Sequence, residues 1–129
     1  MIQPLSSPSM RRNAIATSVL LIPLLLAACP PPGAGAAASR GYQRSAPVIA
    51  ALERYRAARG TYPDSLRQLV PAFLPDSALR LPDRKRERYP LDYRRTADGY
   101  GLMFRYTGPG KNICLYTPAS AEWTCNGYF

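Results

Sequence analysis

The feature that most constrains this chain is an apolar run too short for a membrane. Ala14 to Ala28 (AIATSVLLIPLLLAA) spans 15 residues and follows Arg11 and Arg12. A bilayer core of ~30 Å needs about 20 apolar residues in a helix. Pro23 also interrupts this stretch. A charged start, a short apolar middle and small residues at the end describe an export signal that is removed, here residues 1–28, not a membrane anchor. Met10 stands directly before the arginines and offers a second start. No later segment is apolar enough to span a bilayer, so the fold must come from the residues after Ala28.

Leu26-Ala27-Ala28-Cys29 closes that run and resembles the lipobox of bacterial lipoproteins. The resemblance implies cleavage before Cys29, a diacylglycerol on its thiol and acylation of the new amine. Without lipidation, a cut after an alanine would leave Cys29 a free thiol. Each buried CH₂ contributes ~0.8 kcal/mol, and two chains suffice for stable anchoring. The expected location is the cell envelope, facing the periplasm from a lipid anchor, at the outer membrane. The expected first partner is the membrane itself.

Cys29 to Phe129 is 101 residues, enough for one small domain. Setting aside Arg11 and Arg12, 15 basic residues face 8 acidic ones, a balance of +7. There is no histidine. Three cysteines in an exported chain leave one to explain. With Cys29 acylated, Cys114 and Cys125 remain as a pair in an oxidising compartment.

Pro30 to Ala46 (PPPGAGAAASRGYQRSA) lacks an apolar period and reads as a flexible tether, residues 29–46 with the lipidated cysteine. The domain is expected at 47–129. Pro47 to Arg59 reads as a helix, with Pro47 in the first position and Ser45 or Ala46 as cap. Val48, Leu52 and Tyr55 supply its buried stripe, widened by Ala51 and Ala58, and Gly60 ends it. Tyr62 to Pro71 reads as a short second helix, with Ser65 and Gln68 as a capping box. Residues 72–90, with Pro75, Pro82 and Pro90, read as loop.

From Leu91 the apolar period becomes two. Strands are expected at 91–96, 100–107, 112–117 and 123–128, forming an antiparallel meander. The cysteines suggest the last register. Cys114 opposite Cys125 puts Tyr116 opposite Trp123 and Thr117 opposite Glu122, around a loop from Pro118 to Ala121. Directly paired strand residues bring Cβ atoms near disulfide distance. A redox or metal role fits less well, since neither a C-x-x-C motif nor further ligands are present. The expected fold is α+β: one main helix and a short one on three or four antiparallel strands.

Leu52-Glu53-Arg54-Tyr55 leading into Gly60-Thr61-Tyr62-Pro63-Asp64-Ser65-Leu66 resembles the soluble part of type IV pilins and type II secretion pseudopilins. Tyr89-Pro90-Leu91-Asp92-Tyr93 followed by Gly99-Tyr100-Gly101-Leu102 is similar to that family's first hairpin. The resemblance covers about residues 47 to 129 and implies a helix packed across a sheet. The family's prepilin peptidase site and long apolar helix are missing, and the lipobox stands in their place. The family's acidic calcium loop is replaced by Gly108-Pro109-Gly110-Lys111-Asn112, so calcium is not carried over.

Catalysis has little to work with. Histidine is absent, the thiols are assigned to lipid and disulfide, and no G-x-S-x-G elbow occurs. No catalytic residue, metal ligand or cofactor is expected. Arg80 to Arg95 holds seven basic and three acidic residues. Arg84, Lys85, Arg86, Arg88, Arg94 and Arg95 are its candidate anion-binding residues, against the alternative of a solvated, charged loop. Tyr89 and Tyr93 read as sheet residues rather than stacking platforms, which weighs against nucleic acid. The leading expectation is a non-catalytic scaffold for another envelope protein, accessory to a pilus- or secretion-type assembly. The alternative is a module for anionic ligands: lipid headgroups, lipopolysaccharide or nucleic acid.

Overall fold

Ala38, Gly41, Ser45, Val48 and Leu52 step by three and four residues along one side of a single helix. All five are buried. In the computed structural model, which describes residues 29–128, this helix (α1) runs from Ala36 to Arg59. The expected export signal lies outside the described residues, as does Phe129.

The tether expected over residues 30–46 is therefore corrected: from Ala36 onward it is helix. Pro47 lies inside α1 rather than at its start. It removes an intrahelical hydrogen bond and carries a propensity cost of roughly 3 kcal/mol. Packing outweighs that cost. Gly41 lies so close to the Phe104 ring that an added Cβ would be driven into it. Small residues let the helix backbone settle onto the sheet, and the Ser45 hydroxyl donates to the Gly41 carbonyl at 2.8 Å. Ala58, expected in the buried stripe, is exposed, while Tyr55 is half-buried against Phe73. Gly60 ends the helix as expected, with φ 78° and its N–H on the Arg56 carbonyl at 2.7 Å.

The short second helix is smaller than expected. Only a 3₁₀ turn, Leu66–Leu69, forms between Pro63 and Pro71. Helix nucleation is costly, and so short a stretch cannot offset it. Ser65 makes no capping bond; Gln68 instead accepts the Asp64 N–H at 2.8 Å. A second 3₁₀ turn, Asp76–Leu79, interrupts the expected loop.

Four strands complete the chain: β1 (Asp92–Thr96), β2 (Gly99–Thr107), β3 (Lys111–Thr117) and β4 (Glu122–Tyr128). They form one antiparallel sheet in chain order. Cys114 faces Cys125, Tyr116 faces Trp123 and Thr117 faces Glu122, as the sequence suggests. Tyr100, Leu102, Phe104 and Tyr106 are buried on the side of β2 that faces α1. Around Leu52 the core gathers Val48, Leu69, Leu74 and Leu102. A second cluster joins Ala38 to Phe104, Tyr106 and Cys114. Each fully buried large side chain contributes roughly 1.5–3 kcal/mol. The fold is thus α+β, with the core lying between α1 and the sheet.

The chain before α1 is docked as well. The Gly33 N–H donates to the Tyr106 hydroxyl at 2.9 Å, and the Tyr42 hydroxyl donates to the Gly33 carbonyl at 2.9 Å. Gly33 has φ 85°, and an added Cβ would sit 2.8 Å from the Cys125 sulfur, so both conformation and space call for glycine.

Candidate functional site

Arg40 and Arg44 are one helical turn apart on α1, and they flank the buried Gly41. Facing them is a turn closed by the Glu87 N–H on the Arg84 carbonyl at 2.9 Å. That turn is pinned to the end of β2, where the Thr107 N–H donates to the Arg86 carbonyl at 2.9 Å. Between helix and turn lies a cleft of about 370 Å³, lined by Arg40, Arg44, Arg84, Glu87, Arg105 and Tyr106, among others.

Glu87 is only 7% exposed. It accepts from Arg40 through Nε at 2.7 Å and through Nη2. That hydrogen bond raises the Arg40 pKa above the usual guanidinium value. Arg44 behaves differently. Burial pushes its pKa down, with the Glu87 charge opposing, and its Nε is buried without a hydrogen-bond partner. Buried polar groups are normally bonded, so an orphaned guanidinium nitrogen calls for an explanation. Guanidinium remains charged in proteins and offers a fork of donors suited to carboxylate or phosphate. The chemistry this cleft can perform is therefore capture of an oxyanion.

A second cleft, of about 530 Å³, adjoins the first through Ala37 and Arg40. Cys29, Arg86 and Pro109 line it. The Cys29 thiol is exposed and unbonded. The candidate lipid attachment point and the basic turn thus occupy the same end of the molecule.

The six expected anion-binding residues do not form one site. Arg84 lines the first cleft and Arg86 the second. Lys85 is exposed between them. Arg88 pairs with Asp83 at 3.4 Å on the surface. Arg95 pairs with Asp64 at 2.7 Å and donates to the Tyr62 carbonyl at 3.3 Å. Arg94 stands opposite Gly101. Thr107, against the basic turn, is six residues further along β2, about 20 Å at ~3.4 Å per residue. The antiparallel return of β1 carries Arg94 and Arg95 away from the cleft. Sequence reasoning misses Arg40 and Arg44 because their segment reads as tether. The signal that could have found them is the small-residue stripe Ala38, Gly41, Ser45, in phase with Val48 and Leu52.

Cys114 and Cys125 are joined, Sγ to Sγ at 2.07 Å. A second polar cluster lies at the edge of α1, around the exposed Glu53. Glu53 accepts from Tyr62 at 3.0 Å and from Tyr100 at 3.5 Å. Burial, then the Glu53 charge, pushes the Tyr100 phenol well up. This network ties the helix to β2 and to the turn after Gly60. Tyr93 is half-buried and donates to the Pro63 carbonyl at 2.6 Å, as befits a sheet residue. Among the described residues no group of three or more His, Cys, Asp or Glu could hold a metal ion, and no helix is long and apolar enough to cross a membrane.

No protein-family model matches the chain, and neither a curated protein nor a solved structure matches it.

Proposed function

We propose that this chain is a lipid-anchored protein of the bacterial cell envelope, which binds another envelope component at the membrane surface without catalysing a reaction. The observation that carries the reading is the docking of the chain directly after Cys29. Gly33 is already bonded to Tyr106 and Tyr42. Four residues at most ~3.6 Å each place Cys29 within about 15 Å of that docked glycine. A lipid on Cys29 would hold the domain against the headgroups. It would not hang clear of them on a tether.

The order of helix, short turn and antiparallel meander supports the pilin-like comparison, and with it a role accessory to a pilus- or secretion-type assembly. In filament subunits of that kind an apolar helix packs the core. Here a lipid would take over attachment, leaving the domain as a fixed surface facing the periplasm from the outer membrane.

A second reading is favoured by one observation, the arginine-lined cleft. Arg44 and Arg84 face it, and neither makes an ion pair among the described residues. An anionic-ligand module is the role such a cleft suits. It would use Arg40, Arg44 and Arg84 in place of Arg94 and Arg95.

Metabolic labelling with an alkyne fatty acid tests the anchor. Label on the wild-type chain, and none on Cys29→Ser, is the expected result. Unlabelled wild type, or membrane fractionation unchanged in Cys29→Ser, would sink it. Crosslinking in the native envelope then asks whether a protein lies against the domain.

A further inference from the structure

We propose that the cleft between α1 and the 84–87 turn binds the phosphate of an anionic phospholipid in the leaflet that carries the Cys29 lipid. This rests on the anchoring reading for its geometry; the cleft chemistry stands apart from it.

The charge balance around the cleft is uneven. The three acids of the 80–95 segment are already engaged: Asp83 with Arg88, Glu87 with Arg40, Asp92 with Arg105. Arg44, Arg84, Lys85 and Arg86 have no ion pair among the described residues. Like charges gathered at one end repel unless an anion joins them. Arg44 supplies the sharpest indication, a buried Nε without a partner in the wall of an open cleft. Glu87 gives its Oε1 to Arg40 and makes no hydrogen bond with Arg44 Nε.

The neighbouring cleft identifies the source of the anion. Cys29 and Arg86 line it together, and Arg40 belongs to both clefts. A diacylglycerol on Cys29 enters the leaflet there, so phosphates of adjacent lipids crowd the same end of the domain. Anchoring makes the contact intramolecular in effect, and a weak intrinsic affinity then suffices. Phosphate also matches the fork geometry of a guanidinium. The outcome is an oriented domain: the Arg84 end faces the bilayer, and the Arg94 and Arg95 end faces away.

The test uses residues 29–129 carrying Cys29→Ser. Both core clusters lie within these residues, so the chain folds without the segment before Cys29. Sedimentation with vesicles of phosphatidylcholine, with and without phosphatidylglycerol, reads the affinity. Binding is expected only to the anionic vesicles and should weaken with salt. Arg84→Gln, at an exposed position, should weaken it about fivefold, and Arg44→Gln with Arg84→Gln about 25-fold, following the usual contribution per basic residue near an anionic surface. Arg67→Gln with Arg94→Gln removes equal charge away from the cleft and should change binding less than twofold. Equal losses in the two double variants would overturn the cleft assignment, as would absence of binding to anionic vesicles. Inorganic phosphate binding as tightly as the vesicles do would overturn the headgroup assignment. Failure of fatty-acid labelling at Cys29 would remove the anchor while leaving the vesicle result to stand by itself, so the two failures are distinguishable.

Discussion

The β3–β4 hairpin and the first half of α1 face each other across one part of the core, yet they advertise themselves very differently. Along β4, Trp123 and Cys125 alternate with Glu122, Thr124 and Asn126, and together with Cys114 and Tyr116 of β3 they mark the inward face. In the first half of α1 the inward face is Ala38, Gly41 and Ser45. These residues bury little area of their own. What they contribute is closeness, by bringing the helix backbone onto Phe104. Periodicity carried by bulk is visible in a sequence. Periodicity carried by the absence of bulk resembles a linker, most of all beside prolines and glycines.

The largest effect expected on this comparison lies in the hairpin. Cys114→Ser with Cys125→Ser opens a loop whose ends are 11 residues apart and should cost roughly 3 kcal/mol in the chain-entropy account. Denaturant unfolding with and without reductant measures it. Next comes Gly41→Ala. In a tether this change would be neutral; against Phe104 it should cost about 1–3 kcal/mol by overpacking, seen as a lower unfolding midpoint. Ala121 sits in the hairpin loop with φ 53°. Ala121→Gly should stabilise by about 0.5–1 kcal/mol, because a non-glycine residue is strained there.

The smallest effect, a pH dependence that sets in only near pH 10, concerns Tyr93. Burial pushes its phenol up to about 12, against a smaller lowering by Arg95. Tyr100 is raised in the same direction. The folded state therefore holds protons that the unfolded chain releases near pH 10. This contribution is complete below pH 10 and is lost as pH rises toward 12. The melting temperature should fall over that range, and Tyr93→Phe should flatten the fall.

Much of the architecture is legible in the sequence because large residues carry it: the change of period at Leu91, the four strands, the hairpin register and the Gly60 stop. Residues 30–46 are not, because small residues mark their inward face. The sequence overstates the second helix because its capping residues look right locally, while Pro63 and Pro71 leave too few residues to nucleate. The basic segment is half legible. Composition identifies Arg84 and Arg86, but only the path of β1 separates them from Arg94 and Arg95. Arg40 and Arg44 become visible only once their segment is helical.

The central claim is that residues 36–46 belong to the folded domain and carry Arg40 and Arg44 to the cleft beside Cys29. Amide hydrogen exchange in residues 29–129 tests it without a mutation in the helix. The amides of Arg40 to Ser45 should exchange slowly, approaching the protection of Val48 to Leu52. Exchange of Arg40 to Ser45 at the rate of an unstructured chain, with Val48 to Leu52 protected, would contradict it.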